Sequence, residues 1–498
     1  MAGDDEQRPL HILFFPYPAP GHLIPIADMA ALFATRGVKC TILTTPVNSA
    51  IIRPAVDRAN NARRGTADAP PPPAIQISVV PFPDVGLPPG VENATGLTGD
   101  ADRDKFLHAI QRFREPFERF FSGGCRPDAV VADSHFQWSV DAAAEHGVPR
   151  LAFLGTSMFA RACTDSMLRN NPLASCPDAV VSLPGLPHRV EMLRSQMVDP
   201  SKRPENFAFF QRVNAEDQRS YGEVFNSFHE LEPDYVEHYR TTLGRRVWLV
   251  GPVAPAGGDM GATKVATNEL SSDGAGCLRW LDTKPAGSVV YVSFGTLSSF
   301  SPAELRELAR GLDLSCKNFV WVISHAGAGA HNVTDAQPEW MPEGFAELTA
   351  RPGGRGFIIR GWAPQTLILS HPALGAFLTH CGWNSTLEAV SAGVPMVTWP
   401  RYGDQFFNEK LVVEVLQVGA SVGACDYASF METHHGVVRA EVVAESIGTV
   451  MGDGEEGQAI RSKARELGVK ARWAVGNAGS SYGDVGRLME ELMARRKT

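Results

Sequence analysis

Apolar residues fall along this chain in two rhythms. Short, nearly continuous runs read as strands: His11–Phe15, Val38–Leu43, Ile75–Pro81, Asp128–Asp133 and Arg150–Leu154 in the first half, and Ser288–Phe294, Phe319–Ser324, Gly356–Arg360, Ala373–Leu378 and Val394–Trp399 in the second. Between them, apolar positions at helical spacing, such as Ile24, Ala27, Met29, Ala30 and Phe33, predict amphipathic helices. Further helices are expected over Phe106–Phe121, Phe207–Tyr221, Pro302–Leu314, Asn408–Gln417, Arg439–Met451, Glu456–Arg472 and Asp484–Arg495. Strands that are apolar throughout are buried on both faces, and strands alternating with helices build parallel sheets. The pattern predicts an α/β chain that runs through Rossmann-like β-loop-α logic twice. Ala254–Gly276 is rich in Gly, Ala and Ser without an apolar period. It reads as the linker (254–276) between a first domain, 1–253, and a second, 277–475. Residues 168–205 hold Pro, Asn and Ser and predict an irregular stretch with short helices.

Composition narrows the class. A chain of 498 residues, 44% apolar and 20% charged, has room for two or three domains of ordinary globular make-up. Its net charge of −9 argues against nucleic acid or an anionic membrane as partner. No apolar run approaches the ~18 residues of a bilayer span. The N-terminus, MAGDDEQRPLHILFF, is acidic where a secretory signal would be basic, so none is expected. Eight cysteines, scattered from Cys40 to Cys425 without close pairs, fit reduced thiols rather than a disulfide framework or a zinc site. A cytoplasmic monomer is the expectation.

Candidate chemistry sits at strand ends, where ligands bind in open α/β sheets. Between Ala373–Leu378 and Val394–Trp399, a short helix is expected to begin near Asn384, with Leu387, Val390 and Ser391 on one side. Its preceding turn is His380-Cys381-Gly382-Trp383-Asn384-Ser385. Gly382 allows close backbone approach, and Asn384 or Ser385 can cap the helix. The helix start, with His380 beside it, favours a phosphate or diphosphate. The next strand ends in Pro400–Gln405, which brings Asp404 and Gln405 to the same rim. Ser293 and Thr296, flanking Gly295 after another strand, also suit a diphosphate. In the first half, His22 is expected in the loop after the first strand, and Asp133 ends a strand on the same rim. A carboxylate on one imidazole nitrogen fixes the tautomer and stabilises the imidazolium. Asp133 could instead cap a helix starting near Phe136. His135, two residues on, is a rival base ranked below His22. Asp100-Ala101-Asp102 has the form of a metal-binding DxD, but it follows Thr98-Gly99 in a polar stretch instead of capping an apolar strand. It reads as a solvated helix start, and no metal is expected.

The 44-residue segment Trp362–Gln405 resembles the signature box of plant family-1 UDP-dependent glycosyltransferases. It opens on Trp362, holds HCGWNS at His380–Ser385 and Glu388 four residues after Asn384, and closes on Asp404-Gln405. PGHLIP at Pro20–Pro25 resembles the stretch that carries the family's catalytic base. The resemblance implies the GT-B architecture, two facing Rossmann-like domains with parallel sheets and an interdomain cleft, with a last helix (476–498) crossing back onto the first domain. It implies that Trp362 stacks uracil, Ala363 binds it through its backbone, and Gln365 reaches the base or ribose. Glu388 would accept from ribose hydroxyls. His380, Asn384 and Ser385 would serve the phosphates, and Trp383, Asp404 and Gln405 would face the sugar. A terminal Gln with this Trp resembles the glucose-using members. His22, assisted by Asp133, would then run a direct, inverting, metal-independent transfer from UDP-glucose with no further cofactor. GHLIPIADMA, Thr44–Ser49 and Gln405–Val412 resemble the subgroup acting on flavonoids, coumarins, triterpenoids and steroids, so the acceptor is expected to be a small hydroxylated aglycone. Arg401-Tyr402-Gly403-Asp404 departs from that subgroup, which more often has Leu-Phe-Ala-Glu.

Other classes make testable demands. A dehydrogenase needs a Gly-rich fingerprint after the first strand. Here that strand leads into PYPAPGH, and Gly327-Ala328-Gly329 lacks the third glycine. A P-loop needs a Gly-Lys pair, which the sequence does not contain. A UDP-sugar-binding protein without turnover would carry the same donor residues; a transferase using another sugar such as UDP-galactose is the other alternative, although galactose users more commonly have His where this chain has Gln405.

Overall fold

The structure, a computed structural model, describes residues 8–62, 73–124, 126–176, 178–254, 272–323, 340–350, 354–427 and 436–496. The acidic N-terminal residues, most of the Ala254–Gly276 stretch and Gly327-Ala328-Gly329 lie outside the described residues. Contacts group the chain into two units. One is Met1–Met158 with Pro204–Pro255 and Ala474–Thr498; the other is Phe159–Arg203 with Ala256–Trp473.

In chain order the strands are β1 (His11–Phe15), β2 (Lys39–Thr44), β3 (Gln76–Val79), β4 (Ala129–Asp133), β5 (Arg150–Phe153), β6 (Val180–Leu183), β7 (Val190–Leu193), β8 (Gly222–Phe225), β9 (Val247–Leu249), β10 (Val289–Ser293), β11 (Asn318–Ile323), β12 (Gly356–Arg360), β13 (Leu374–Thr379), β14 (Met396–Thr398) and β15 (Gly419–Ser421). The first unit holds a seven-stranded parallel sheet in the order β3-β2-β1-β4-β5-β8-β9. Successive residues of each central strand feed opposite faces. Ile12, Phe14, Cys40, Ile42, Ala129 and Val131 pack in one core cluster, and Leu13, Phe15, Leu43, Val130 and Ala132 in another. That is why these strands read as unbroken apolar runs. The last helix, Ser480–Arg495, adds Val485, Leu488 and Leu492 to the first of these cores. Its Asp484 accepts the Leu249 backbone N–H at 2.8 Å.

The second unit holds a six-stranded parallel sheet, β12-β11-β10-β13-β14-β15. Both sheets reverse direction at an inner strand. The chain winds outward from β1 to β3 and returns to lay β4 on the other side of β1; β10 and β13 repeat this. Phe15 pairs with Ala132, and Ser293 with Thr379, so the turns that follow these strand pairs emerge side by side. Ligands in such sheets bind at these reversal points.

Three local expectations change. The helix Pro46–Ala62 was not legible, because only Asn48, Ser49, Ile52 and Val56 of it are buried and its apolar stripe is thin. The helix expected over Phe106–Phe121 is two, Asp100–Arg112 and Arg114–Ser122, broken at Phe113, whose buried ring meets Phe15, Phe82 and Phe136. Asp100 and Asp102 fall in the first turn of the former. Within 168–205 lies an antiparallel hairpin, β6 and β7. It belongs with the second unit because Gln196 donates to the Ala424 carbonyl (3.1 Å) and Tyr427 N–H to Ser195 O (2.7 Å). No helix among the described residues is long and apolar enough to cross a membrane.

Candidate active site

The helix Pro20–Thr35 opens on a proline, whose missing N–H is no loss in a first turn. His22 is the third residue of that helix, not part of the preceding loop as the sequence suggested. Asp133 ends β4 with no exposed surface. It caps no helix, since the next begins at Ser139. Instead, its Oδ2 lies 2.6 Å from His22 Nδ1, a pairing across 111 residues. Its Oδ1 lies 2.7 Å from His135 Nδ1 and accepts the His135 backbone N–H at 3.0 Å. One carboxylate therefore holds two imidazoles, whose rings stand perpendicular with centroids 5.3 Å apart. The Tyr17 ring lies 4.4 Å from His135 and that of Phe209 5.8 Å. Burial pushes the Asp133 carboxyl up, but the charge of His22 and the bond from His135 outweigh it and hold it well below the usual carboxylate range. An ionised carboxylate only accepts, so the His22 proton sits on Nδ1 and Nε2 is the basic nitrogen. His22, Asp133 and His135 also offer ligand atoms within 4.8 Å of one another, as a metal site would. Both carboxylate oxygens are engaged by ring nitrogens, so Asp133 orients both imidazoles.

In the second unit the turns after β10, β13 and β14 adjoin. Gly382 is the N-cap of the helix Trp383–Ala392, and no side chain caps it. Asn384 and Ser385, expected as caps, fall inside the first turn. The N–H groups of that turn open at the carboxyl end of β13 and favour an anion. His380 packs between two glycines: a Cβ on Gly295 would lie 2.8 Å from its Nε2, and one on Gly382 2.5 Å. Cys381, between them, holds a left-handed φ of 63°. Asn408 Nδ2 anchors the turn by donating to the Cys381 carbonyl at 2.9 Å. Burial lowers the His380 pKa to about 4, against a hydrogen bond with the Ser293 backbone. His380 is thus neutral at pH 7, and among the described residues its buried Nδ1 has no hydrogen-bond partner. Ser293 is the buried end of β10, and Thr296 is half-buried in the turn that follows.

Trp362 follows β12 and is 65% exposed, so its indole is not a core ring. Ala363 beside it is half-buried. Gln365 Nε2 donates to Ser385 Oγ (3.0 Å) and Glu388 Oε2 (2.8 Å), and its Oε1 accepts from Tyr291 OH (3.1 Å). Burial raises the Glu388 carboxyl to about 7, although the bond from Gln365 pulls it down. The Trp383 indole, 3% exposed, is packed inside, unlike that of Trp362. Gln405, 4% exposed, accepts the backbone N–H groups of Arg401 (2.9 Å) and Tyr402 (3.1 Å) on its Oε1. Asp404 Oδ2 accepts from Asn408 Nδ2 at 3.0 Å. Asn408 therefore ties the turn at Cys381 to Asp404. Sequence reasoning missed it, since only its place on the helix face after Asp404 hinted at the role.

A model of the family described as UDP-glucoronosyl and UDP-glucosyl transferase matches residues 141–438, more than half of the chain. Scopoletin glucosyltransferase of Nicotiana tabacum is 42% identical over 98% of this chain and 99% of its own length. Anthocyanin 3'-O-beta-glucosyltransferase of Gentiana triflora is 40% identical over 97% and 98%. A solved Glycyrrhiza uralensis structure, complexed with glycyrrhetinic acid 3-O-monoglucuronide, superposes with a TM-score of 0.87 at 36% identity, covering 98% of this chain and 97% of that one. The two parallel sheets are those of the GT-B fold. By sequence, by strand order and by the residues at its strand ends, the chain belongs to the UDP-glucoronosyl and UDP-glucosyl transferase family, as a glycosyltransferase of the plant branch.

Proposed function

We propose that this enzyme transfers glucose from UDP-glucose to a hydroxyl of a small plant metabolite, without a metal and with inversion at the anomeric carbon. The observation that carries this reading is the 2.6 Å bond between His22 Nδ1 and the buried carboxylate of Asp133. His22 Nε2 takes the acceptor hydroxyl proton as that oxygen attacks C1 of glucose. The bond from C1 to the diphosphate breaks on the opposite face, and its electron pair leaves with UDP. An α-linked donor thus yields a β-glucoside. Asp133 orients His22 and offsets the charge of the imidazolium. Negative charge growing on the diphosphate meets the first-turn N–H groups after Gly382 and the neutral His380, with Ser293, Thr296, Asn384 and Ser385 alongside. Those dipoles do the work a cation does in metal-dependent transferases.

Trp362 stacks the uracil, Ala363 bonds it through its backbone, and Gln365 and Glu388 take the ribose. Asp404 and Gln405 take the sugar, and Trp383, whose indole is packed inside, meets it through its backbone at the helix start. An amide beside a carboxylate supports a hexose, whose hydroxyls both donate and accept. The rings of Tyr17 and Phe209 around His135 support a flat phenolic acceptor, and the names of the tobacco and gentian relatives point the same way. Replacing His22 by Ala should lower kcat by roughly 10²–10⁴ while UDP binding persists; near-normal kcat overturns the assignment. Incubation with UDP-glucose and a library of phenols, read by mass, separates enzyme from mere binder. Product with stoichiometric UDP release supports transfer; tight UDP binding without product supports the binder.

A further inference from the structure

We propose that Arg401 is a positioning residue for sugar recognition: its buried ion pair with Glu304 fixes the Arg401–Gln405 loop to the turn after β10 and so governs which hexose the donor site accepts. The proposal rests on the reading above, in which Asp404 and Gln405 hold the sugar. Both partners are nearly inaccessible, at 2% and 0% side-chain exposure. Arg401 Nη1 lies 2.5 Å from Glu304 Oε1, Nη2 donates to the Ser299 carbonyl at 2.8 Å, and the guanidinium lies 4.1 Å from the centre of the Phe300 ring. Ser299 and Phe300 of the turn after β10, and Glu304 of the helix that follows, are thereby gripped by one side chain from the loop after β14.

Glu304 is itself fixed. Its Oε2 accepts the Ser301 N–H and the Ser301 hydroxyl, each at 2.9 Å, within the capping box that starts the helix Pro302–Leu314. On the other side, the Arg401 backbone N–H donates to Gln405 Oε1 and so fixes the orientation of that amide. The wiring runs from a helix cap through Glu304 and Arg401 to Gln405, with Gly403 (φ 66°) turning the loop between. A buried ion pair is weak evidence for stability, because desolvation offsets its attraction; registry is its better-attested use. The planar arginine fork, which bonds two acceptors at fixed angles, suits that use as lysine does not. An apolar residue of similar bulk would cover Phe300 and anchor nothing.

The test uses the full chain carrying Arg401→Met with Glu304→Gln. Gln preserves the capping box, Met covers Phe300, and neither charge is left buried alone. Measured are the melting temperature, UDP affinity, the acceptor KM and the ratio of kcat/KM for UDP-glucose over UDP-galactose. We expect a folded protein with UDP affinity and acceptor KM near wild type, and a selectivity ratio lower by about 10-fold or more, the scale on which a displaced contact changes discrimination. An unchanged ratio in the folded double variant overturns the proposal. Should that variant not fold, Arg401→Lys decides: it keeps the charge beside Glu304 but cannot also bridge to Ser299, so the ratio should fall at native melting temperature, and an unaltered ratio sinks the idea. A wild-type protein that neither binds nor turns over UDP-glucose would instead sink the underlying reading.

Discussion

His22 and His380 flank equivalent reversal points in two sheets, from opposite sides: β1 is the counterpart of β10, and β13 that of β4. Each follows a strand, β1 or β13, that borders the point where strand order reverses. Around His22, the neighbouring strand β4 ends in a buried carboxylate that is held ionised and bonded to the ring. Around His380, the neighbouring turns present Gly295 and Gly382 instead, and burial holds the ring neutral with its pKa at about 4. The same residue type, beside equivalent reversal points, is bonded in one case to an ionised carboxylate and in the other kept neutral by burial. The fold supplies the location; the residue on the adjoining strand or turn decides the chemistry.

That contrast breaks most severely at Asp133. Asp133→Asn should lower kcat by roughly 10²–10⁴, because an amide no longer enforces the Nδ1–H tautomer or stabilises the imidazolium, while UDP affinity stays put. A variant with normal kcat would remove the carboxylate from the comparison. On the other side, His380→Ala should cost about 10²–10³ in kcat, as loss of a donor to developing charge does. Its pH–rate profile above pH 6 should keep its shape, since a ring neutral there contributes no titration; a shifted profile would make His380 a second base. Trp362→Ala should weaken donor affinity by about 1–3 kcal/mol, roughly 5- to 150-fold, with kcat little changed, if the exposed indole is a stacking surface. The smallest effect is a pH trend. Glu388 titrates near 7 because burial raises it, so its carboxylate is lost as pH falls through 7. Ribose hydroxyls need that carboxylate as acceptor, so KM for UDP-glucose should rise on acidification, by at most about tenfold per unit below pH 7. Glu388→Gln should flatten the trend; a wild-type KM constant from pH 8 to 6 removes Glu388 from the ribose.

Much of this was legible without coordinates. The strands at His11–Phe15 and Ser288–Phe294, the helix Pro302–Leu314, and the polar groups at strand ends follow from periods of two and 3.6 residues and from local turn chemistry. Where the local signal thinned, the reading slipped. Pro46–Ala62 has too few apolar positions to announce a helix. The strands of the β6–β7 hairpin bury only alternate residues, so they lack the continuous apolar run that marks the central strands. Asn384 looked like a cap because its side chain suits one, but the helix starts a residue earlier, at Trp383.

What the chain determined by itself was therefore the kind of fold and the residue types available at each strand's carboxyl end. Tertiary structure alone decided which of them meet. Asp133 shares its two oxygens between His22 and His135, Arg401 finds Glu304 across 97 residues, and Gln405 turns its oxygen inward. The physical reason is that local periodicity reports burial and turns, whereas pairing depends on strand order and register. Those are fixed by the packing of the whole sheet, which no single window of sequence contains.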